Sequence, residues 1–126
     1  MKSSFILYVE DQDKSTRFYE FVLNHPPLLN VPGMTEFKLN EGSLLGLMPL
    51  TGIRKLLGEK LPDPRGAAKI PRAELYLIVD GPQEYYNRAL QAGAVELSKL
   101  QRRDWGDRAA YCMDLDGHVI AFAEKC

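Results

Sequence analysis

Leu75-Tyr76-Leu77-Ile78-Val79-Asp80, followed by Tyr85-Tyr86 and Leu90, is the second statement of a pattern made once already. The first is Ile6-Leu7-Tyr8-Val9, then Asp11 and Asp13, then Phe18-Tyr19 and Leu23. Each reads as a strand, an acidic turn and a helix whose aromatic pair and leucine share a face. Three more strand candidates follow each helix. Duplicated units of this size close a core together that neither closes alone. The reading is an α+β chain of two βαβββ repeats, with an enclosed site between the halves.

Working outward, Ser4 to Val9 is rich in strand formers. Asp11 or Asp13 can cap the next helix by accepting from free backbone N–H groups. In that helix Phe18, Phe21, Val22 and His25 recur at helical spacing, and Pro26-Pro27 stops it. An edge strand is expected around Leu28 to Val31. Met34 to Leu39 and Leu44 to Met48 are strands around the turn Asn40-Glu41-Gly42. In the second half, Asp80-Gly81-Pro82-Gln83 starts a helix with proline in its first turn, and Gly93 ends it. Val95 to Leu100 is a strand. Arg108 to Met113 and His118 to Ala123 form a hairpin around Asp114-Leu115-Asp116-Gly117.

Between the halves lies a stretch punctuated by Pro49, Gly52, Gly58, Pro62, Pro64, Gly66 and Pro71, with a short helical possibility at Ile53 to Leu57. The chain therefore divides into repeat one at 1–48, a linker at 49–72 and repeat two at 73–126, together one domain. A connection this long in a compact domain often serves as a lid or rim.

The bulk numbers exclude several classes. A chain of 126 residues makes one domain and hardly two independent ones. With 45% hydrophobic and 26% charged residues, it has an ordinary globular composition. A formal charge of −1 leaves no electrostatic footprint for nucleic acid. Arg54, Lys55, Lys60, Arg65, Lys69 and Arg72 gather in the middle, but acidic residues and prolines interrupt them, so they read as a solvated loop. No apolar run reaches membrane-spanning length and no signal-peptide pattern follows Met1. Cys112 and Cys126 make no disulfide framework. A cytoplasmic protein with reduced thiols is expected.

Three stretches carry a resemblance to a known family. The first is Asp11, Ser15, Phe18-Tyr19 and Leu23. The second is Val79-Asp80 followed by Ala89-Leu90-Gln91-Ala92-Gly93-Ala94. The third is Trp105-Gly106 and Arg108 followed by Asp114-Leu115-Asp116-Gly117-His118. In order and spacing they resemble the glyoxalase / bleomycin resistance / extradiol dioxygenase superfamily, the vicinal oxygen chelate proteins. The resemblance covers nearly the whole chain. It implies two curved mixed sheets around a cavity, and usually a homodimer.

Enzymes of that family hold one divalent metal in the cavity, with ligands from four strands. Carried over to this chain, those places fall at Ser4, at or near Gly46, at Glu74 and at Ala121. Only Glu74 can ligate, and one carboxylate cannot fix a divalent ion. No metal and no other cofactor is expected, and Lewis-acid catalysis loses its basis. Other residues do not rescue a centre. His25 stands at a helix end beside two prolines. His118 is opposed to Ala121 on the pleat, hence outside the cavity. Cys112 has no His or Cys neighbour in sequence.

Alternation lists what lines the cavity instead. Ser4 takes Ile6 and Tyr8 with it, Gly46 takes Leu44 and Met48, Glu74 takes Tyr76 and Ile78, and Ala121 takes Val119 and Ala123. Pairing across the last hairpin is expected to add Ala110 and Cys112. Trp105 lies in the polar loop before the final hairpin, and either stacks on a ligand at the mouth or caps the core. Glu74 either faces the cavity or pairs on the surface beside Arg72. The candidate ligand-binding residues are thus Tyr8, Met48, Glu74, Tyr76, Trp105, Arg108 and Cys112. This apolar pocket with tyrosines and one carboxylate suits a flat aromatic ligand, with a cationic group as the natural partner of Glu74.

Three functions compete. One is a metal-free small-molecule binding protein of the bleomycin-resistance type, which sequesters such a ligand; antibiotic resistance is the function this type implies, and the sequence leaves open whether this chain confers it. Another is a lyase- or isomerase-like enzyme with an altered or metal-independent site, Glu74 serving as general base and Tyr8 or Tyr76 as acid. The third is a partner-binding regulatory dimer with a vestigial pocket. Binding is preferred. The expected partners are the small-molecule ligand and a second copy of the chain, with no nucleic acid and no membrane.

Overall fold

The computed structural model describes residues 1–67 and 69–126; Ala68, inside the expected linker, lies outside the described residues. Both repeats form as read. The first comprises β1 (Ser3–Val9), α1 (Gln12–Leu23), β2 (Leu29–Val31), β3 (Met34–Asn40) and β4 (Ser43–Pro49). The second comprises β5 (Glu74–Ile78), α3 (Pro82–Gln91), β6 (Val95–Arg102), β7 (Asp107–Met113) and β8 (Val119–Lys125). Between them α2 spans Leu50–Leu57, longer at its start than expected, and short 3-10 turns follow at Gly58–Lys60 and Pro64–Ala67. No helix among the described residues is long and apolar enough to cross a membrane.

Each repeat builds one open four-stranded mixed sheet, in the orders β1-β4-β3-β2 and β5-β8-β7-β6. In each, the first strand runs parallel to the last and the rest are antiparallel. By contact the chain separates into two compact units, each built on one sheet, with Phe21–Leu23 counted in the second.

In the first unit Asp11 caps α1, its carboxylate accepting from the Lys14 N–H at 3.0 Å. Asn24, in the left-handed region at φ 60°, ends the helix before the two prolines. Leu7, Val9, Phe37, Leu45 and Leu47 form the buried face of the sheet. The Thr16 and Thr35 hydroxyls, buried and 2.8 Å apart, tie α1 to this face. Phe18 and Tyr19 are buried on the helix, whereas Phe21 points outward, 43% exposed. Burial follows the Phe18-Tyr19-Val22-Leu23 stripe rather than a stripe through Phe21. The opposite face carries Ile6 beside Gly46 and Tyr8 beside Met48 in register.

In the second unit α3 packs on β7 and β8. Tyr86 and Ala89 are buried on it, and the Tyr85 and Phe122 rings lie 5.7 Å apart. Phe122 alternates with Ala121 and Ala123, so the Ala121 face is the one away from α3.

The last hairpin corrects one expectation. Met113 pairs with Val119 and Tyr111 with Ala121, so Cys112 faces Ile120 and Ala110 faces Phe122. Cys112 and Ala110 therefore lie on the helix-covered face, not beside Ala121. The cause is the turn. The Asp114 N–H donates to the His118 carbonyl at 2.8 Å, which leaves three residues in the loop instead of four. The Asp114 carboxylate also accepts from the N–H groups of Asp116 at 2.9 Å and His118 at 2.8 Å. Gly117 completes the loop at φ +89°, as a three-residue hairpin with a bulge requires. One residue of register puts every β7 side chain on the other face.

Candidate binding face of the second sheet

The open face of the second sheet is laid out by its registers. Ala121 on β8 sits between Tyr76 on β5 and Tyr111 on β7. One row on, Ala123 lies between Ile78 and Ala109, and beyond them Lys125 pairs with Asp107. The three alanines are fully buried. Their small side chains leave room for large neighbours to lie across the sheet.

Tyr76 does so. Its hydroxyl reaches over β8 to donate to the Asp107 carboxylate at 2.7 Å. The Trp105 indole N–H donates to the same hydroxyl oxygen at 3.1 Å. Lys125 completes the chain, its ammonium 3.1 Å from the other Asp107 oxygen. The order indole, phenol, carboxylate, ammonium fixes each polarity. The Tyr76 bond, then the Lys125 bond, hold the Asp107 carboxyl below its usual range. Burial first, and the Asp107 bond second, push the Tyr76 phenol up. The phenol thus remains a donor to Asp107 and an acceptor from Trp105. Trp105 as a residue is 55% exposed, its indole fixed at the N–H.

Arg103 flanks Tyr111. Its guanidinium lies 5.1 Å from the ring centroid. Nη2 donates to the Ser98 hydroxyl at 2.9 Å, to the Lys99 carbonyl at 3.1 Å and to the Ala109 carbonyl at 2.8 Å; Nε donates to Ala109 at 3.2 Å. Burial first, then the negative charge of Glu74, raise the Tyr111 phenol, while the Arg103 charge opposes them. Tyr111 is therefore within electrostatic reach of the anions Glu74 and Asp107 and of the cation Arg103.

The structure sorts the expected residues. Tyr76 and Trp105 come together in one hydrogen-bonded chain. Glu74 shares their face but is exposed at the strand start, not buried among tyrosines. Tyr8 and Met48 are half-buried register partners on the open face of the first sheet. Arg108 is not on the Tyr76 face: it pairs with Glu124 across β7–β8 at 2.8 Å, alternating with Asp107 and Ala109. Cys112 is buried on the helix side, where burial and then Asp114 push its thiol up to about 12. Tyr111, Arg103, Asp107 and Lys125 belong to the site although sequence reading did not select them. Tyr111 would have been found by a three-residue loop in the last hairpin.

The four places for metal ligands do not fit a divalent ion. Ser4 is exposed, Glu74 is exposed, and Ala121 offers no donor. A Cβ at Gly46 would stand 3.1 Å from Ile6 and 3.4 Å from the Met34 sulfur, so that place is already packed. Asp114, Asp116 and His118 form the one close donor trio among the described residues, with ligand atoms within 4.8 Å of one another. There Asp114 is occupied in holding the turn, and His118 Nδ1 lies 2.9 Å from its second oxygen. The His25 ring packs edge-on to Phe37 and its Nδ1 lies 3.2 Å from the Pro26 carbonyl. Elsewhere in the first unit, an acidic groove of about 590 Å³ runs between residues 10–13 and 30–33 and includes none of the expected residues.

Comparison with known proteins agrees with the fold. The family model described as Glyoxalase/Bleomycin resistance protein/Dioxygenase superfamily matches residues 3–122. Among solved structures, a glyoxalase-related enzyme from Fulvimarina pelagi superposes with a TM-score of 0.82 at 21% identity, over 99% of this chain and 88% of that one. A glyoxalase/bleomycin resistance protein/dioxygenase family enzyme from Burkholderia phytofirmans gives 0.79 at 15% identity, over 98% of each chain. TioX from Micromonospora sp. gives 0.70 at 20% identity, over 100% of this chain and 99% of that one. No curated protein matches the chain significantly.

Proposed function

The chain belongs to the Glyoxalase/Bleomycin resistance protein/Dioxygenase superfamily, and from that premise we propose that it is a metal-free binding protein for a flat aromatic small molecule. One observation carries the reading. The Trp105–Tyr76–Asp107 chain holds an exposed indole in place through a phenol that lies across the alanine-floored face. Ordering an exposed aromatic in the free protein lowers the entropy cost of stacking a ligand on it. Sequestration of the bleomycin-resistance type is the mode that suits such a face.

The donor set supports the metal-free part of the proposal, since Ala121 and Gly46 stand where ligands would be needed. The acid–base alternative is weaker on chemical grounds. The Tyr76 proton is committed to Asp107, which makes that phenol a poor general acid.

The protein is proposed to act as a homodimer, as the open edges of two four-stranded sheets favour. Light scattering at micromolar concentration tests this; a mass of one chain only would contradict it. The binding reading is tested by titrating planar aromatic antibiotics and intercalating chromophores against Trp105 emission. Saturable quenching supports it, and failure of every such compound to bind by calorimetry would remove it.

A further inference from the structure

Arg103 is an unusual cation for a loop. Its Nε and one Nη2 edge are bound entirely by neutral acceptors, the Ser98 hydroxyl and the carbonyls of Lys99 and Ala109. Among the described residues no carboxylate stands within ion-pair distance of it, although Asp104 is its neighbour in sequence. The two N–H groups on Nη1 make no bond to a described residue. The guanidinium carbon lies 5.1 Å from the ring centroid of Tyr111, whose side chain is on the face that carries Tyr76 and Ala121. A cation held by its neighbours, half-buried, and keeping the Nη1 N–H groups free is a fixed positive donor for an oxyanion. By contrast, the nearby carboxylate of Asp107 is already matched by Lys125 and Tyr76. What remains uncompensated on this face is Arg103 on one flank of Tyr111 and Glu74 within electrostatic reach of the same phenol.

We infer that Arg103 is an anion-recognition point of this face, and that the ligand class is an aromatic zwitterion: a flat ring bearing both a carboxylate and an ammonium group. The inference rests on the binding reading above and names its ligand chemistry. The ring stacks beside Trp105 and Tyr76, the carboxylate accepts from Nη1 of Arg103, and the ammonium faces Glu74.

Four naphthalene probes separate these contributions: naphthylacetate, naphthylacetamide, naphthylmethylammonium and naphthylalanine, titrated by calorimetry with Trp105 emission followed in parallel. The wild-type protein should bind naphthylacetate about tenfold tighter than the amide, as a hydrogen-bonded charge would give. Naphthylalanine should bind tightest. Raising salt should weaken the acid and leave the amide unchanged. Arg103→Gln should erase the preference for acid over amide, and Arg103→Lys should restore only part of it because an ammonium cannot also make the Nε and Nη2 bonds that hold the charge in place. Should Arg103→Gln fail to fold, the wild-type comparison and its salt dependence still decide. Equal affinity for acid and amide, with both quenching Trp105, overturns the anion point while leaving the aromatic face intact. No saturable binding by any of the four removes both readings together.

Discussion

Tyr76 and Asp107 are hydrogen-bonded at 2.7 Å although they belong to strands separated by β8. Only a floor of alanine permits that crossing. A glutamate at position 121, where the family's metalloenzymes place a ligand, would stand between Tyr76 and Tyr111 in register. Alanine at this position thus leaves the room through which the phenol reaches Asp107 and meets the Trp105 indole.

Trp105 is the only tryptophan, so its emission reports this face alone. Tyr76→Phe removes the acceptor for the indole N–H. Its emission should then show lower anisotropy and stronger acrylamide quenching in the ligand-free protein. Trp105→Ala should weaken an aromatic ligand by about 0.5–1.5 kcal/mol beyond lost area. Unchanged anisotropy in Tyr76→Phe would show that the bond does not hold the ring.

Glu74→Gln should weaken a cationic aromatic ligand modestly. Because Glu74 is exposed, the pair is worth roughly 0.2–1 kcal/mol rather than the larger value of a buried charge. A neutral analogue should be unaffected. Calorimetry on both ligands checks this, and an equal loss for the two would assign Glu74 a structural part.

Purified, untagged protein should carry no stoichiometric divalent metal after dialysis. Elemental analysis is the measurement. About one zinc, nickel, manganese or iron per chain would refute the metal-free proposal, and the Asp114–Asp116–His118 trio would then be the first place to substitute.

His118 should make stability pH-dependent. Burial alone would lower its pKa, but the Asp114 hydrogen bond and charge outweigh burial and raise it. A raised folded pKa means the contribution is complete below the unfolded value near 6.5 and is lost as pH rises through the folded value. His118→Asn should therefore cost more stability at pH 5.5 than at pH 8.5. Urea melts of both proteins at the two pH values measure it, and an equal cost at both would show the imidazolium is not what Asp114 holds.

Cys126, exposed at the chain end, should react with a thiol reagent at pH 8 in the native protein, whereas Cys112 should not. Its burial and raised pKa keep the thiolate scarce. One thiol labelled before unfolding and two after is the expected titration.

The duplicated pattern was legible because both repeats keep apolar alternation and helix caps in order. The faces of β1, β4, β5 and β8 followed from alternation alone, so Tyr8, Met48 and Tyr76 were placed correctly on their pleats. Cys112 and Arg108 were not, because a hairpin's register hangs on loop length, and Asp114-Leu115-Asp116-Gly117 closes equally well on paper with three or four residues. Arg103 and Asp107 escaped notice for another reason. Both look like solvated loop charges, and only the fold brings Tyr111 and Tyr76 to them.

The Asp114 turn also works as an address label. Tyr111 and Cys112 are adjacent in sequence, and which of them lies on the open face is decided by a carboxylate at the far end of the hairpin. That carboxylate binds the His118 N–H while the Asp114 N–H meets the His118 carbonyl, which takes Asp114 itself out of the loop and into the pairing. A chain that misread this count during folding would bury the phenol under α3 and present a thiol in its place. The chemical identity of the face proposed to bind a ligand is thus written in a turn at the other end of the hairpin.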